Sequence, residues 1–216
     1  MRLCCVLAWG LAIPCHGALL QDQSNELQPD QWGISLLYHG ASRAQTFTVG
    51  QTGRLARIDV GLTGAQQASP YWVDIAIATV ANGVPDFDSL LASRRLYSED
   101  ISLPSLAIPT YSISADFTAS DIHVTVGDML ALVVASNVPP LGPPTNVFGL
   151  WHSASSYPNG QTYYRRNREV SEGFGDFHFR TFVEVPEPVS ANLGLMAIVC
   201  GGWHALRRRQ EAWWCC

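Results

Sequence analysis

The sequence predicts an all-β protein, an antiparallel β-sandwich of jelly-roll type over residues 32–185. From Ala44 onward the apolar residues recur with a period of two, which is typical of half-buried strands. Gly-, Pro- and Asn-rich turns separate these short runs, and the region shows no convincing helical pattern. About eight to ten such strands fit a two-layer sandwich, and a β-barrel is the alternative architecture.

The alternation defines five runs in the first part of the domain. In the first run Phe47 and Val49 share one face, because successive side chains of a strand point to opposite faces. The other runs lie at residues 56–62, 72–77, 111–117 and 122–126. Each run is therefore predicted to be a strand with one face in the core.

Two further strands complete the predicted sandwich. Residues 129–134 are apolar at every position, which predicts a central strand covered on both faces. The prolines of segment 139–144 lack amide donors, so this segment is predicted to be an exposed connection. In the final strand, residues 177–183, the alternation predicts inward side chains at Phe177, Phe179 and Val183 and outward side chains at His178 and Arg180.

The N-terminus has the pattern of a secretory signal peptide. Arg2 supplies a positive charge, residues 3–13 are apolar, and small residues follow up to Ala18. We therefore assign residues 1–18 to a signal peptide that is cleaved near Gly17 or Ala18. A buried N-terminal helix and a lipoprotein signal at Cys15 are the alternatives. Residues 21–31 are polar without a period, so residues 19–31 are predicted to be a flexible or loosely draped lead-in that ends where order begins at Trp32.

The C-terminus combines three features in a fixed order. The short motif Val185-Pro186-Glu187-Pro188 is followed by the apolar run Val189–Leu206 and then by the basic stop Arg207, Arg208 and Arg209. As a helix the apolar run would be roughly 27 Å long, which is enough for a single transmembrane helix. The arginines would stay in the cytoplasm and leave the domain outside.

This order resembles the PEP-CTERM sorting tail of exported bacterial proteins, here residues 186–209, with residues 210–216 as an extension that such tails usually lack. The resemblance implies that an exosortase-type membrane transpeptidase recognises and cuts the tail. It also implies export through an inner-membrane intermediate to the cell surface or extracellular matrix of a Gram-negative-type bacterium. Segments 45–50, 81–85, 126–128 and 157–164 are similar to a domain that occurs ahead of such tails, which implies a sandwich but names no ligand.

Charge and cysteine content exclude some partners and sites. Residues 18–185 contain nine Arg against sixteen Asp and Glu, a net charge of seven negative, so the domain would repel nucleic acid. The same residues contain no Cys, which excludes disulfides and a Cys-ligated zinc site.

No catalytic residue and no cofactor is predicted. Motifs of nucleophilic, metalloprotease and phosphate-binding sites are absent from the sequence. The histidines of the domain occur singly, at His39, His123, His152 and His178. Asp86 and Asp88 lie in a turn-rich segment and form a weak candidate calcium site, for which turn capping by Asp is the alternative.

Aromatic residues cluster within sixteen residues late in the domain. Sugar-binding sandwiches stack aromatic faces against pyranose C–H surfaces and use amide and charged groups for the hydroxyls. The candidate glycan-binding residues are Trp151, Tyr157, Asn159, Tyr163, Tyr164 and Arg165. The alternative is that the aromatics plug the ends of the sandwich and that Asn159-Gly160 makes a hairpin turn.

The sequence therefore predicts a non-enzymatic exported cell-surface or matrix protein that is associated with exopolysaccharide or biofilm. A carbohydrate-binding module is the alternative function, and a hydrolase with an unrecognised site is the third hypothesis.

Overall fold

The computed structural model describes residues 17–26, 32–64, 71–99, 101, 113–139, 148–154 and 157–186. These residues are almost entirely antiparallel β-strand, which confirms the predicted all-β antiparallel fold. Most of the predicted signal peptide and the tail from Glu187 onward lie outside the described residues. Within the described ranges, no helix has the length and apolar character needed to cross a membrane.

The described part of the chain contains fifteen strands and one short 3-10 turn, Thr118–Ser120, which lies between the eighth and ninth strands. In chain order they are β1 Ala18–Asn25, β2 Trp32–Leu37, β3 Ala41–Thr48, β4 Gly53–Val60, β5 Leu62–Gly64, β6 Trp72–Ala81, β7 Val84–Tyr97, β8 Ile113–Asp116, β9 Ile122–Val124, β10 Met129–Ser136, β11 Phe148–Ser153, β12 Thr162–Arg166, β13 Glu169–Glu172, β14 Asp176–Phe177 and β15 Phe179–Val185.

The strands form three hydrogen-bonded sheets. The six-stranded sheet has the order β13-β12-β3-β10-β6-β7. The five-stranded sheet has the order β1-β15-β4-β8, and β9 also pairs with β4. The four-stranded sheet has the order β14-β11-β2, and β5 also pairs with β11. Consecutive strands often lie in different sheets, so the chain crosses repeatedly from one side of the core to the other.

The two smaller sheets are continuous through one junction. Strands β4 and β15 pair with each other along their length. The chain segments that continue from them separate at Gly61 and His178, and β11 passes between these segments and pairs with both. The first half of β11 pairs with β5 and the second half with β14. The backbone N–H of Gly61 donates to the His178 carbonyl at 2.8 Å. The N–H of Trp151 donates to the Gly61 carbonyl at 2.9 Å, and the N–H of His178 donates to the Trp151 carbonyl at 3.0 Å. These bonds join the smaller sheets into one layer opposite the six-stranded sheet.

Side chains from all three sheets meet in a single main core. Phe47 comes from the six-stranded sheet, Phe179 from the five-stranded sheet and Leu150 from the four-stranded sheet, and all three are fully buried. The rings of Phe47 and Phe179 lie 6.0 Å apart. Burial of each such side chain stabilises the fold by roughly 1.5–3 kcal/mol. A core shared in this way is consistent with the predicted β-sandwich.

Strand β10 is central, as residues 129–134 predict. It pairs with β3 on one side and β6 on the other, and residues 130–134 are buried. Leu132 and Val134 face the main core, whereas Ala131 and Val133 belong to a smaller apolar cluster on the opposite face of the sheet. The prediction is wrong at Met129, which is 43% exposed at the start of the strand.

The predicted flexible lead-in is a strand over most of its length. Residues 19–31 were expected to lack structure, yet β1 pairs with β15, and the compact unit of the chain begins at Leu19. The N–H of Gln23 donates to Thr181 Oγ1 at 3.0 Å, and Asn25 Nδ2 donates to the Phe177 carbonyl at 2.7 Å. Polar contacts hold this edge strand, so its sequence needs no apolar alternation.

Two expected positions also differ from the structure. His178, predicted outward, is only 4% exposed, because the final strand is divided at this residue into β14 and β15 and the ring lies against the Asn25 carbonyl at 3.0 Å. Phe177, Phe179 and Val183 are buried and Arg180 is half-buried. Val126, the last apolar position of the 122–126 run, is 61% exposed in the turn before β10. Residues 111–112 and 140–144 of two predicted segments lie outside the described residues.

Candidate functional site

The structure places Trp151 at the junction of the smaller sheets. The side chain is fully buried, and the backbone of the residue bonds to both Gly61 and His178. A sugar ring needs an accessible aromatic face for stacking. Trp151 is therefore a core residue, and its predicted role in glycan binding is wrong for this fold.

Tyr157 is also part of the core. It is 5% exposed, its ring meets the ring of Phe179 edge-on at 5.3 Å, and its hydroxyl donates to Gln23 Oε1 at 2.7 Å. Its backbone N–H donates to Asp176 Oδ2 at 2.7 Å. Burial raises the pKa of the Tyr157 hydroxyl to about 12, so this group stays protonated as a donor. Tyr157 therefore packs inside the sandwich, as the alternative hypothesis expected, and is not accessible for stacking on a sugar.

Tyr163 and Arg165 lie on the outer face of the six-stranded sheet. The hydroxyl of Tyr163 donates to the Gly83 carbonyl at 2.9 Å. Arg165 pairs with Asp88 at 2.7 Å and lies over the ring of Phe87, 4.7 Å from its centroid. These contacts connect β12 with the turn before β7 and with the start of β7. The Tyr163 hydroxyl and the Arg165 guanidinium therefore already have partners within the protein.

A second aromatic group on the same outer face was missed at the sequence level. Arg95 binds Asp74 through two hydrogen bonds of 2.8 Å and lies over the ring of Trp72 at 3.7 Å, with Tyr97 44% exposed beside them. The outward positions of Trp72 and Asp74 follow from the alternation of the 72–77 run. Their partners on β7 could not be read from it, because the pairing register with β7 contains bulges.

The remaining predicted glycan residues point elsewhere. Asn159 lies in an exposed turn, where its carbonyl accepts a hydrogen bond from Thr48 Oγ1 at 3.2 Å. Tyr164 is directly opposite Arg43 across the β3–β12 pair, and the guanidinium of Arg43 lies 4.9 Å from the ring centroid. The six predicted residues are thus divided between the core, a turn and two faces of one sheet, and they do not form one site.

The strongest candidate site is a series of neighbours that runs from Tyr164 through Arg43 and His152 to Phe174, and we call these four residues the Arg43 cluster. Phe174 is 78% exposed, and its ring meets His152 edge-on at 6.4 Å. Burial is the main cause that lowers the pKa of His152, and the nearby positive charge of Arg43 lowers it further. The cluster therefore combines an exposed ring, a neutral imidazole and a cation.

Within the described part of the chain, the charge of Arg43 is not balanced by a neighbouring acid. Burial lowers the pKa of Arg43, yet a guanidinium stays charged at neutral pH. Among the described residues, no carboxylate forms an ion pair with it, and its buried Nε has no hydrogen-bond partner. A desolvated charge without a counterion is unfavourable. An anionic group bound from outside would relieve that cost.

The candidate calcium ligands have other roles. Asn82 and Gly83 form the β6–β7 turn with positive φ angles of 53° and 82°. Asp86 Oδ1 accepts the N–H of Asp88 at 3.1 Å, which is the turn capping that was the alternative, and Asp88 pairs with Arg165. Nowhere in the described ranges do three or more His, Cys, Asp or Glu side chains converge on one point. We do not propose a calcium site at these residues.

The histidines form no enclosed catalytic arrangement in the described part of the chain. His123 Nε2 lies 3.3 Å from Asp121 Oδ1, but these side chains are 76% and 70% exposed. A general base normally works in a shielded cleft, where its pKa is tuned and water is excluded. His39 is exposed, His152 is half-buried, and His178 is buried at the junction.

Comparisons with known proteins were made for the whole chain. No family model and no curated protein matches it. One solved structure that aligns with it is the crystal structure of the cysteine protease and lectin-like domains of Cwp84, a surface layer associated protein of Clostridium difficile. The alignment covers 73% of this chain with 14% identity and a TM-score of 0.43. This chain spans 37% of the length of that chain, and a likeness of this size assigns neither a family nor a function.

Proposed function

We propose that this chain is a non-enzymatic exported protein of the cell surface or extracellular matrix, associated with exopolysaccharide. An exosortase-type transpeptidase would process it at the PEP-CTERM-like tail, after an inner-membrane stage held by residues 189–206. The proposal includes the signal peptide, residues 1–18, and the transmembrane helix. The observation that carries it is the boundary between β15 and the motif: the strand ends at Val185, and the exposed Pro186 follows at once.

This boundary allows the tail to be cut without unfolding the domain. β15 is an interior strand between β1 and β4, and its last residues are held by the ion pair between Arg54 and Glu184. Pro186 lacks an amide donor and cannot continue the ladder. A transpeptidase acting on the following residues would therefore leave every strand pairing of β15 in place.

The experiment replaces Pro186-Glu187-Pro188 by alanines in a bacterium that exports the protein and makes a transpeptidase of this type. We expect the wild type in the surface or matrix fraction and the alanine variant in the inner membrane. Glu211→Ala, which removes a glutamate beyond the basic stop, is the control and should behave like the wild type. Equal distribution of the wild type and the alanine variant would reject the sorting role.

We propose that the strands of the sandwich are connected as in a jelly roll. Repeated crossing between the six-stranded sheet and the opposite layer, as at β3–β4, β5–β6 and β9–β10, supports it. Such crossing is common to Greek-key and jelly-roll sandwiches. An experimental structure with the remaining connections in view would decide between them.

A carbohydrate-binding module is the second candidate function, and the exposure of Phe174 favours it. A large ring that is 78% exposed beside a cation and an imidazole is suited to stacking on a sugar. The full-length chain in mild detergent should be retained on some polysaccharide, and Phe174→Ala should lose that retention. Val126→Ala, at another exposed apolar position, is the control. Retention that is identical in both variants would reject this site.

A further inference from the structure

We propose that the Arg43 cluster binds the carboxylate of an acidic sugar, with the guanidinium of Arg43 as its partner and Phe174 against the sugar ring. The ligand class is a uronate-bearing polysaccharide. This inference rests on the proposed association with exopolysaccharide and names the kind of sugar that would be recognised.

Arg43 differs from most of the other arginines that lie against the sheets. Five of them form ion pairs within the protein: Arg54 with Glu184, Arg57 with Asp59, Arg95 with Asp74, Arg165 with Asp88 and Arg180 with Glu26. Arg94 donates instead to the Asp116 carbonyl and to Ser120 Oγ. Arg43 is half-buried and forms no such pair with a described residue. Its position on β3 has the same parity as Gln45 and Phe47, which face the core. A partly desolvated cation without a carboxylate partner among the described residues would be stabilised by an anion bound from outside.

The guanidinium of Arg43 lies against the ring of Tyr164. Tyr164 is its direct cross-strand neighbour, and the ring supports the guanidinium from 4.9 Å. A planar fork that is held in place loses little further freedom when it binds, and its paired N–H groups match the two oxygens of a carboxylate. The arrangement therefore favours a carboxylate over a neutral hydroxyl.

The loop before β14 places the ring of Phe174 beside His152. The next residue, Gly175, has a φ angle of +71°, and a Cβ at that position would lie 2.5 Å from His152 Nδ1 and 2.6 Å from the Ser153 carbonyl. Only glycine tolerates both conditions. The conformation at Gly175 thus lets the loop carry an exposed ring next to His152, and such a ring favours a ligand with an apolar C–H face.

These features together select one ligand class. A nucleic acid or another dense polyanion is disfavoured by the net negative charge of the domain. A free small carboxylate would satisfy Arg43 but leave Phe174 without a partner. A uronate supplies the carboxylate and the C–H face in one residue.

The test measures retention of the full-length chain, in mild detergent, on immobilised polygalacturonate and on the same polymer after its carboxyl groups are reduced to alcohols. We expect retention on the acidic polymer and at least about tenfold weaker retention on the reduced one. Galacturonic acid should compete, and acetate should compete far less well. Competition by acetate as effective as that by galacturonic acid would contradict the role of the sugar ring.

Arg43→Met removes the charge but keeps an apolar side chain of similar reach, and Arg43→Lys keeps the charge without the fork. We expect at least about tenfold weaker binding for Arg43→Met and an intermediate loss for Arg43→Lys. The melting temperature of Arg43→Met should equal or exceed that of the wild type, because the change removes a partly desolvated charge that no described carboxylate pairs with. Arg166→Met, on the exposed end of β12, is the control.

Unchanged binding of polygalacturonate in either folded Arg43 variant overturns the proposal. A melting temperature of Arg43→Met well below that of the wild type also overturns it, since Arg43 would then serve the fold. The outcome is separable from the sorting role. Arg43-dependent binding with failed tail processing supports this site alone, whereas normal sorting with no binding of acidic polymers rejects this site alone.

Discussion

Trp151 lies on β11 between Gly61 and His178, where the chain segments that continue from β4 and β15 separate. Its backbone completes the hydrogen bonds of Gly61 and His178, while its side chain is fully buried. Arg43 shows the opposite situation, because a half-buried cation is kept without a carboxylate partner among the described residues. At the residue scale, Trp151 therefore serves stability and Arg43 is available for a ligand.

Replacing Trp151 by alanine should destabilise the domain by about 3–5 kcal/mol, because the change removes a fully buried ring and leaves a cavity at the junction. Urea unfolding followed by circular dichroism measures the change. Tyr97→Ala, at a position that is 44% exposed, should cost about 1 kcal/mol or less. Similar midpoints for the two variants would contradict the structural role of Trp151.

Acidification should weaken the fold through the buried His178 and the half-buried His152. Burial is the main cause that lowers the pKa of His178 and of His152 below the ordinary value of 6.5. The unfolded chain therefore takes up protons near pH 6.5 that the folded chain does not. Their contribution to stability is complete above that pH and is lost as the pH falls from there toward the lower pKa values of the folded state.

Urea midpoints at about pH 7.5 and about pH 5 test this prediction. His178→Gln should be less stable than the wild type at the higher pH but should lose less stability on acidification. His123→Gln, at an exposed position, is the control and should keep the dependence of the wild type. The same loss in His178→Gln as in the wild type would show that His178 does not cause it.

Strand β1 shows that part of the N-terminal region predicted to be flexible is paired with the sandwich. Gln23 receives the hydroxyl hydrogen bond of the buried Tyr157 and donates its own N–H to Thr181. Asn25 bonds to the Phe177 carbonyl, and its own carbonyl meets the ring of His178. β1 therefore satisfies polar groups that belong to the core and to the strand junction.

Deleting residues 19–25 should lower the free energy of unfolding by about 2–5 kcal/mol, because four such contacts are lost and buried groups are left unsatisfied. The urea midpoint of the deletion variant measures the loss. The double substitution Leu19→Ser and Leu20→Ser changes exposed side chains of the same strand and should have little effect. A deletion variant as stable as the wild type would mean that the segment is the flexible lead-in that its composition suggests.

At the scale of the whole molecule, the fold class could be predicted because strand alternation is a local property of the sequence. Phe47 and Val49 are buried as their spacing indicates. The Arg43 cluster could not be predicted, because its members come from β3, β11, β12 and the loop before β14, and only the topology brings them together. Trp151 was misassigned because a large aromatic side chain in a strand has the same pattern in a core as on a binding face.

The central claim is that a folded sandwich is exported and then released from its tail beyond Val185. The most direct test is the intact mass of the protein recovered from the surface fraction of an exporting bacterium with an exosortase-type transpeptidase. We expect the mass of a chain that begins near Leu19 and lacks the apolar run 189–206, whereas the variant with alanines at 186–188 should keep that run. Recovery of the wild type with residues 189–216 still attached, or equal trimming of the alanine variant, would contradict the claim.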